Sequence, residues 1–280
     1  MKLQVLDIIK ITKPTLSHNP GFGMNALTGR FRKQRILEQA TTPEDKRLLE
    51  KLKIKKKDKV LSIATYYASW ASKIKQAGAR VSYSDISKSM VQYAKTKVKT
   101  KFFEYIQSNY EYISKEPSVY DWTFTFEACG GEQGLPVAYL RSLLNNKGGI
   151  LVYYDRKGKY RIKTGSKHRT YPNIVKTLAK IYCTKYIIKK ISFEGYPKGK
   201  APAKVPHMVF WIFTNKEARN KASLDIRIID LISNKRTIDL EKESKMLGID
   251  KQGLKDSLKR ISQLSNIVKK EFVKFIEVRN

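Results

Sequence analysis

The sequence predicts an α/β protein: a mainly parallel sheet covered by helices on both faces, with a small helical unit after it. Three observations carry this. From Lys59 to Asp155 short apolar runs alternate with amphipathic stretches, the order of strand and crossover helix. Between Lys185 and Asn215 two apolar runs follow each other with only the loop PKGKAPAKVP between them, so they pair antiparallel at a sheet edge. After Ser223 the texture turns helical, with Leu and Ile at spacings of three and four.

Each element has a local reason. The start, MKLQVLDII, is strand-like; a loop and a basic run from Arg30 to Arg35 follow, and residues 1–40 form a basic N-terminal extension. TTPEDKRLLEKLKI, residues 41–54, predicts a helix opened by a Thr cap, with Pro43 in its first turn. After a lysine run, KVLSIA is a short buried strand and ASWASKIKQAG a helix that stops at Gly78. ARVSYSD is the second strand and SKSMVQYAKTK a helix with Ser87 as its cap. FFEYIQS and SVYDWTFTFEA hold the third and fourth strands, LPVAYLRSLLN is an amphipathic helix, and GGILVYYD is the fifth strand. A basic loop and the helix TYPNIVKTLAKIY lead to the edge strands KYIIKKISFEGY and HMVFWIFTN, which closes a domain over residues 41–217.

Residues 223–280 read as a second domain. SLDIRIIDLISN, LEKESKMLGI and DKQGLKDSLKRISQL are helices, and NIVKKEFVKFIEV supplies two short strands. Two helices that meet at the Leu-Gly-Ile-Asp turn, followed by a β-hairpin, form the winged-helix pattern.

Composition bounds the partners. Lys and Arg number 57 against 25 Asp and Glu, a net charge of +32, and such a field draws polyanions. Residues 223–280 hold 13 basic and 9 acidic side chains, which leaves 44 basic and 16 acidic for residues 1–222, a net of +28. The polyanion surface therefore belongs to the first domain. Cys129 and Cys183 cannot build a disulfide framework, and no Cys or His spacing suggests a metal. The N-terminal apolar patch carries Asp7 and lacks a signal-peptide core, and no apolar run reaches about 18 residues. The expected location is the cytoplasm.

The order of motifs from Thr42 to Asn215 resembles the class I S-adenosylmethionine-dependent methyltransferases, which have a seven-stranded, mainly parallel Rossmann-like sheet. VLSIATYYAS stands where the family has a strand, an acid and a glycine-rich loop; here Ser62 replaces the acid, and Ala64, Tyr66 and Ala68 replace glycines. VSYSDISKSM fits closely, with Asp85 where an acid holds the ribose hydroxyls. EYIQSNYEYI resembles the third motif, with Asn109 at the adenine-reading position. YDWTFTFEA resembles the fourth, and LLNNKGGILVYYD the approach to the fifth strand. A dinucleotide dehydrogenase is disfavoured, because a pyrophosphate needs the open amides that GxGxxG supplies.

The resemblance implies S-adenosylmethionine as cofactor, held by Ala64, Thr65, Tyr66, Ala68, Asp85, Ile86, Asn109, Tyr110 and Phe126. Asp85 also reads as a simple helix cap, and Asn109 as an ordinary turn residue. Glu127 and Glu132 are the acid–base candidates, against a reading as solvated acids beside lysines. Cys129 reads as a small buried residue, because the Pro-Cys context of the cysteine-dependent RNA methyltransferases is missing. Nucleic acid is the expected partner, RNA before DNA, contacted by Arg30, Arg32, Lys33 and Arg35 and by the basic loop at Lys157, Lys159, Arg161, Lys163, Lys167 and Arg169. Tyr154, Tyr160 and Tyr171 interleave with those cations, a composition that tracks phosphates and stacks bases. Two functions stand side by side: an RNA methyltransferase whose winged helix positions substrate or partner, and a non-catalytic nucleic-acid-binding protein on a degenerate methyltransferase fold.

Overall fold

The structure, a computed structural model, describes residues 2–6, 46–63, 68–85, 88–97, 103–105, 119–126, 134–154, 161–164, 167–195, 203–233, 237–267 and 274–276. In chain order the strands are β1 (Lys2–Leu6), β2 (Lys59–Ile63), β3 (Arg80–Asp85), β4 (Phe103–Tyr105), β5 (Trp122–Phe126), β6 (Gly148–Tyr154), β7 (Arg161–Thr164), β8 (Lys167–Thr170), β9 (Lys185–Gly195), β10 (Ala203–Phe213), β11 (Thr237–Asp239) and β12 (Lys274–Ile276). The helices are α1 (Leu48–Leu52), α2 (Ser69–Gln76), α3 (Lys88–Lys97), α4 (Gly134–Leu143), α5 (Tyr171–Tyr182), α6 (Lys216–Ser233), α7 (Leu240–Leu247) and α8 (Lys251–Ile267).

Seven strands form one mixed sheet in the order β4-β3-β2-β5-β6-β10-β9. The pairs from β4 to β6 are parallel, whereas β10 runs antiparallel to both β6 and β9. The two edge strands thus pair as the sequence predicts. Sequence order is reversed at β2, where the chain moves first toward β4 and then back toward β6. In open α/β sheets that reversal places a crevice outside the carboxyl ends of the strands.

The central strands are covered on both faces, and β5 is buried at all five positions, its Trp and Phe side chains alternating with buried Thr123 and Thr125. Val60, Tyr83, Trp122, Phe124, Ile150, Val152, Val209 and Trp211 face α1 to α3; Leu61, Ile63, Leu151, Tyr153, Phe210 and Ile212 join a core shared with α4, α5, α6 and α8. Gly148 and Gly149 permit the close packing of β6. A Cβ on Gly148 would stand 1.8 Å from the Ile212 carbonyl oxygen, and one on Gly149 would stand 1.8 Å from Ser142 Oγ.

The amino-terminal edge of the sheet is tied by one carboxylate. Asp58 Oδ2 accepts from the Lys55 amide at 2.9 Å and from Trp122 Nε1 at 3.0 Å, and Oδ1 accepts from Lys147 Nζ at 2.6 Å. Its own carbonyl accepts from the Arg80 amide at 2.8 Å. Burial alone would raise the Asp58 carboxyl, but Lys147, the Lys55 amide and the Trp122 indole together hold it below the usual carboxylate range.

The C-terminal helices are tied by another. Asp225 on α6 is fully buried and takes a bidentate pair from Arg260, Nε to Oδ2 at 3.0 Å and Nη2 to Oδ1 at 2.7 Å. Ser257 Oγ donates to Oδ1, and Tyr182 Oη on α5 donates to Oδ2 at 2.9 Å. The network joins α5, α6 and α8. Burial pushes the Tyr182 hydroxyl well above its ordinary value, with Asp225 beside it adding to the shift, so Tyr182 is a donor at every working pH.

Four sequence expectations change at the level of elements. The helix expected over residues 41–54 is confined, among described residues, to Leu48–Leu52. Lys46 and Arg47 form a turn, and Arg47 provides no side-chain cap; Lys53, in the left-handed region at φ 57, ends it. The helix expected from Ser223 starts at Lys216, because Asn215 Oδ1 accepts from the Ala218 amide at 2.7 Å and caps it there. The basic loop contains an antiparallel hairpin, β7 with β8, whose register pairs Arg161 with Thr170, Ile162 with Arg169, Lys163 with His168 and Thr164 with Lys167. The alternation R-I-K-T and K-H-R-T, with Gly165-Ser166 between, has the pattern of a two-residue β-turn.

The fourth change is topological. Of the hairpin expected after α8, the described residues include one strand, β12, and it belongs to a three-stranded sheet of order β11-β1-β12 with the N-terminal strand in its centre; residues 268–273 lie outside the described residues. β1 is antiparallel to both neighbours, and Gln4 pairs with Thr237 on one side and Ile276 on the other. The strand beside β12 thus comes from the opposite end of the chain.

Both ties can be measured. Asp225→Ala leaves the buried Tyr182 and Ser257 hydroxyls and the partly buried Arg260 guanidinium without their carboxylate and should destabilise the fold by about 3 kcal/mol in urea unfolding. Because the Asp58 carboxyl lies below its unfolded value, its contribution is present above about pH 4 and is lost as pH falls through the folded value. Asp58→Asn should therefore cost about 2 kcal/mol at neutral pH and flatten the acid limb of a stability–pH curve. An unchanged acid limb would remove Asp58 from the account of acid sensitivity.

Candidate functional site

The crevice implied by the topology lies at the carboxyl ends of β3, β2, β5 and β6. Register fixes its level. Ile63 pairs with Ser84 and Ser62 with Phe124, so Asp85 and Phe126 each reach one residue past the end of β2, on either side of the loop that leaves it. Their backbones are two strand spacings apart, about 10 Å.

Asp85 is 6% exposed and ends β3. Tyr83, two residues earlier on the same strand face, donates its hydroxyl to Asp85 Oδ2 at 2.9 Å. The tyrosine is fully buried, so the carboxylate is held at a fixed place on the rim. Phe126 is buried and stacks on Trp70 with centroids 5.0 Å apart and an interplanar angle of 22°.

Ala68 leads into α2 at φ 55 and ψ 22, in the left-handed region, with its methyl fully buried. An L-residue there costs about 1–2 kcal/mol, which is why glycine is the usual occupant. The sequence resemblance aligns Ala68 with a glycine position. The backbone conformation is present without the glycine. Trp70 follows in the first turn of α2 and is fully buried against Phe124, Phe126, Phe193 and His207. Its Nε1 finds no hydrogen-bond partner among the described residues. His207 Nδ1 lies 2.9 Å from the Val205 carbonyl, to which it donates.

The remaining sequence candidates divide by place. Ala64, Thr65, Tyr66, Ile86, Asn109, Tyr110, Glu127 and Glu132 lie outside the described residues, as do Cys129, Arg30, Arg32, Lys33, Arg35, Lys157 and Lys159. Arg161, Lys163, Lys167 and Arg169 are backbone positions of the β7–β8 hairpin, which is inserted between the carboxyl end of β6 and α5. The connection between β9 and β10 leaves the same edge, and exposed Lys204 stands where it rejoins the sheet. Among the described residues no cluster of His, Cys, Asp and Glu could hold a metal, and no helix is long and apolar enough to cross a membrane.

Sequence reasoning missed Trp70, Tyr83 and His207. Tyr83 had a usable signal, since it precedes Asp85 by two on a strand and must share its face. His207 had none, because its neighbours come from α2, β5 and β9.

No protein-family model matches the chain, and no curated protein matches it. Solved structures do. The chain is similar to an S-adenosylmethionine-dependent methyltransferase from Aquifex aeolicus, at 16% identity over 70% of this chain and 99% of that one, with a TM-score of 0.41. It is also similar to the magnesium protoporphyrin IX methyltransferase of Synechocystis PCC 6803 with bound S-adenosylmethionine, at 13% identity over 71% and 93%, TM-score 0.46. A TehB-like methyltransferase from Corynebacterium glutamicum gives 14% identity over 71% and 100%, TM-score 0.44. At these scores the likenesses are too distant to assign an activity. The functional reading rests instead on strand order and rim geometry.

The conformation at Ala68 is testable by itself. In Ala68→Gly, relief of about 1–2 kcal/mol of backbone strain offsets the lost methyl burial and the freer unfolded chain, so stability should stay within about 1 kcal/mol. Ala68→Val forces a β-branched residue into the left-handed region inside a packed site and should cost about 2–4 kcal/mol. Equal tolerance of both in chemical denaturation would mean that residue 68 is not held left-handed.

Proposed function

We propose that the chain is an S-adenosylmethionine-dependent methyltransferase acting on nucleic acid, RNA rather than DNA. The observation that supports it best is Asp85: an acid on the rim at the end of the second sheet strand, anchored by Tyr83, beside a loop that re-enters the fold through a left-handed residue. An acceptor at that place suits two ribose hydroxyls, and the residues present fit the cofactor there. Bound S-adenosylmethionine supplies an electrophilic methyl on a sulfonium. The chain's part is positional: Asp85 would hold the sugar, and the walls at Ala68 would set the donor in line with the acceptor atom. The cationic hairpin Arg161–Thr170 and Lys204, at the same edge, would bind the substrate's phosphates. The N-terminal strand with α6 to β12 is a winged-helix-like unit in this reading, a contact for nucleic acid or protein.

A second reading keeps the nucleic-acid binding and drops the catalysis. The closed Trp70–Phe126 stack, and the side chains that the sequence carries where the resemblance has glycines, favour it. Calorimetric titration with S-adenosylmethionine and its demethylated product separates the two. The wild-type protein should bind both, and Asp85→Ala should weaken binding by about 1–3 kcal/mol, or roughly 5- to 150-fold. Methyl transfer to RNA from labelled donor should fall in parallel. A folded protein that gives no heat with either ligand at millimolar concentration supports the non-catalytic reading.

A further inference from the structure

The lysine run before β2 has no part in the carboxyl-edge site, because it lies at the opposite end of the strands. Lys55, Lys56 and Lys57 are exposed in the turn from α1 into β2, Lys59 is exposed at the start of β2, and Arg80 is exposed at the start of β3. The fold draws them together. The Lys57 amide donates to the Gly78 carbonyl at 3.1 Å, the stem of Lys56 lies against Gly78, and Lys59 pairs in register with Arg80 on the neighbouring strand. Like charges side by side on adjacent strands oppose folding.

Compensation is sparse: Asp121, beside Lys59, accepts the Lys59 amide at 2.9 Å, one partly exposed carboxylate against five cations. Asp58, the acid inside this run, is buried and engaged by Lys147. Among the described residues none of these five cations has a carboxylate within ion-pair distance. Lys57 also sits at φ 71, where glycine or asparagine would be cheaper by about 1 kcal/mol. Backbone strain and charge repulsion are both tolerated to keep five cations on one rim.

From these observations we infer that the amino-terminal edge of the sheet is a second phosphate-binding surface, which grips a structured RNA also held at the carboxyl edge. It rests on the nucleic-acid reading for its partner. Arg80 and Asp85 bound β3, so the two edges are about 16 Å apart along the strand. A folded RNA can span that distance and meet both rims. A membrane surface fits less well, since among the described residues the exposed large hydrophobics are Val119 and Met246, neither in the lysine turn.

The test uses the full chain and a structured RNA of about 70 nucleotides across a salt series, with the triple variant Lys55→Gln, Lys56→Gln, Lys57→Gln and a hairpin variant Arg161→Gln, Lys163→Gln. At about 0.7–0.9 of log–log slope per phosphate contact, the triple variant should flatten the salt dependence by about two units. The hairpin variant should flatten it by between one and two, and the combined variant by the sum. S-adenosylmethionine affinity should be unchanged in the triple variant. Arg80→Gln, which leaves the turn intact, should flatten the slope by about one and guards against a folding defect. A triple variant with the wild-type slope, beside a flattened hairpin variant, overturns the second surface and leaves the proposed function standing. The reverse result supports the second surface and removes the hairpin from the substrate site. Wild-type protein that binds phosphatidylserine vesicles and no RNA overturns both.

Discussion

Asp58 is the constraint on which the sheet's geometry rests. One carboxylate receives the amide of the turn before β2, the indole of β5 and the ammonium of the α4–β6 connection, while its carbonyl receives the first amide of β3. Four segments distant in sequence are thereby aligned at one end. Parallel strands leave little freedom once their starts are fixed: at about 3.3 Å per residue, the places where they stop are fixed too. The level shared by Asp85 and Phe126 at the far rim is thus a consequence of what happens around Asp58. Burial of the carboxylate is costly alone, and three donors make it favourable.

The same device is used again in the C-terminal half. Asp225 gathers Tyr182, Ser257 and Arg260, and so fastens two C-terminal helices to the helix that precedes the edge strands. Ile226, Ile229, Leu254 and Ile261 belong to the same apolar core as Leu151 and Phe210 of the sheet. Helix α6, with its cap at Asn215, is separated from the end of β10 by only two residues. The C-terminal helices are therefore a continuation of the sheet's helical layer, and the small sheet around β1 draws the N-terminus into the same body.

What the sequence made legible was whatever depends on local pattern. Alternation of apolar runs with amphipathic ones located all seven strands of the large sheet, and the uninterrupted pair after Lys185 revealed its antiparallel edge. Asp85 was legible because a strand followed by a helix puts its last residue on the rim. Long-range pairing was not legible. Nothing in KLQVL says that it lies between Thr237–Asp239 and Lys274–Ile276, because a short strand's partners are set by which edge is vacant in the folded body. The basic hairpin was obscured by its charge: R-I-K-T alternates as a strand should, yet cations at every other place read as a solvated loop. Trp70 and His207 were hidden for another reason, since their meaning comes from aromatic neighbours on three other elements.

Charge and strain together suggest how the two rims divide their work. At the carboxyl rim an alanine is held in the left-handed region, and the acid across from it is pinned by a buried tyrosine. At the amino rim a left-handed lysine is kept amid four other cations, while the nearby acid is turned inward to hold the strands. The inward turn of Asp58 has two effects at once. It aligns the sheet, and it takes one negative charge off the lysine turn, where Asp121 beside Lys59 remains. A surface acid at that place would leave the strand starts loose and the rim closer to neutral. The geometry of one rim and the charge of the other therefore have a common origin in a single buried carboxylate.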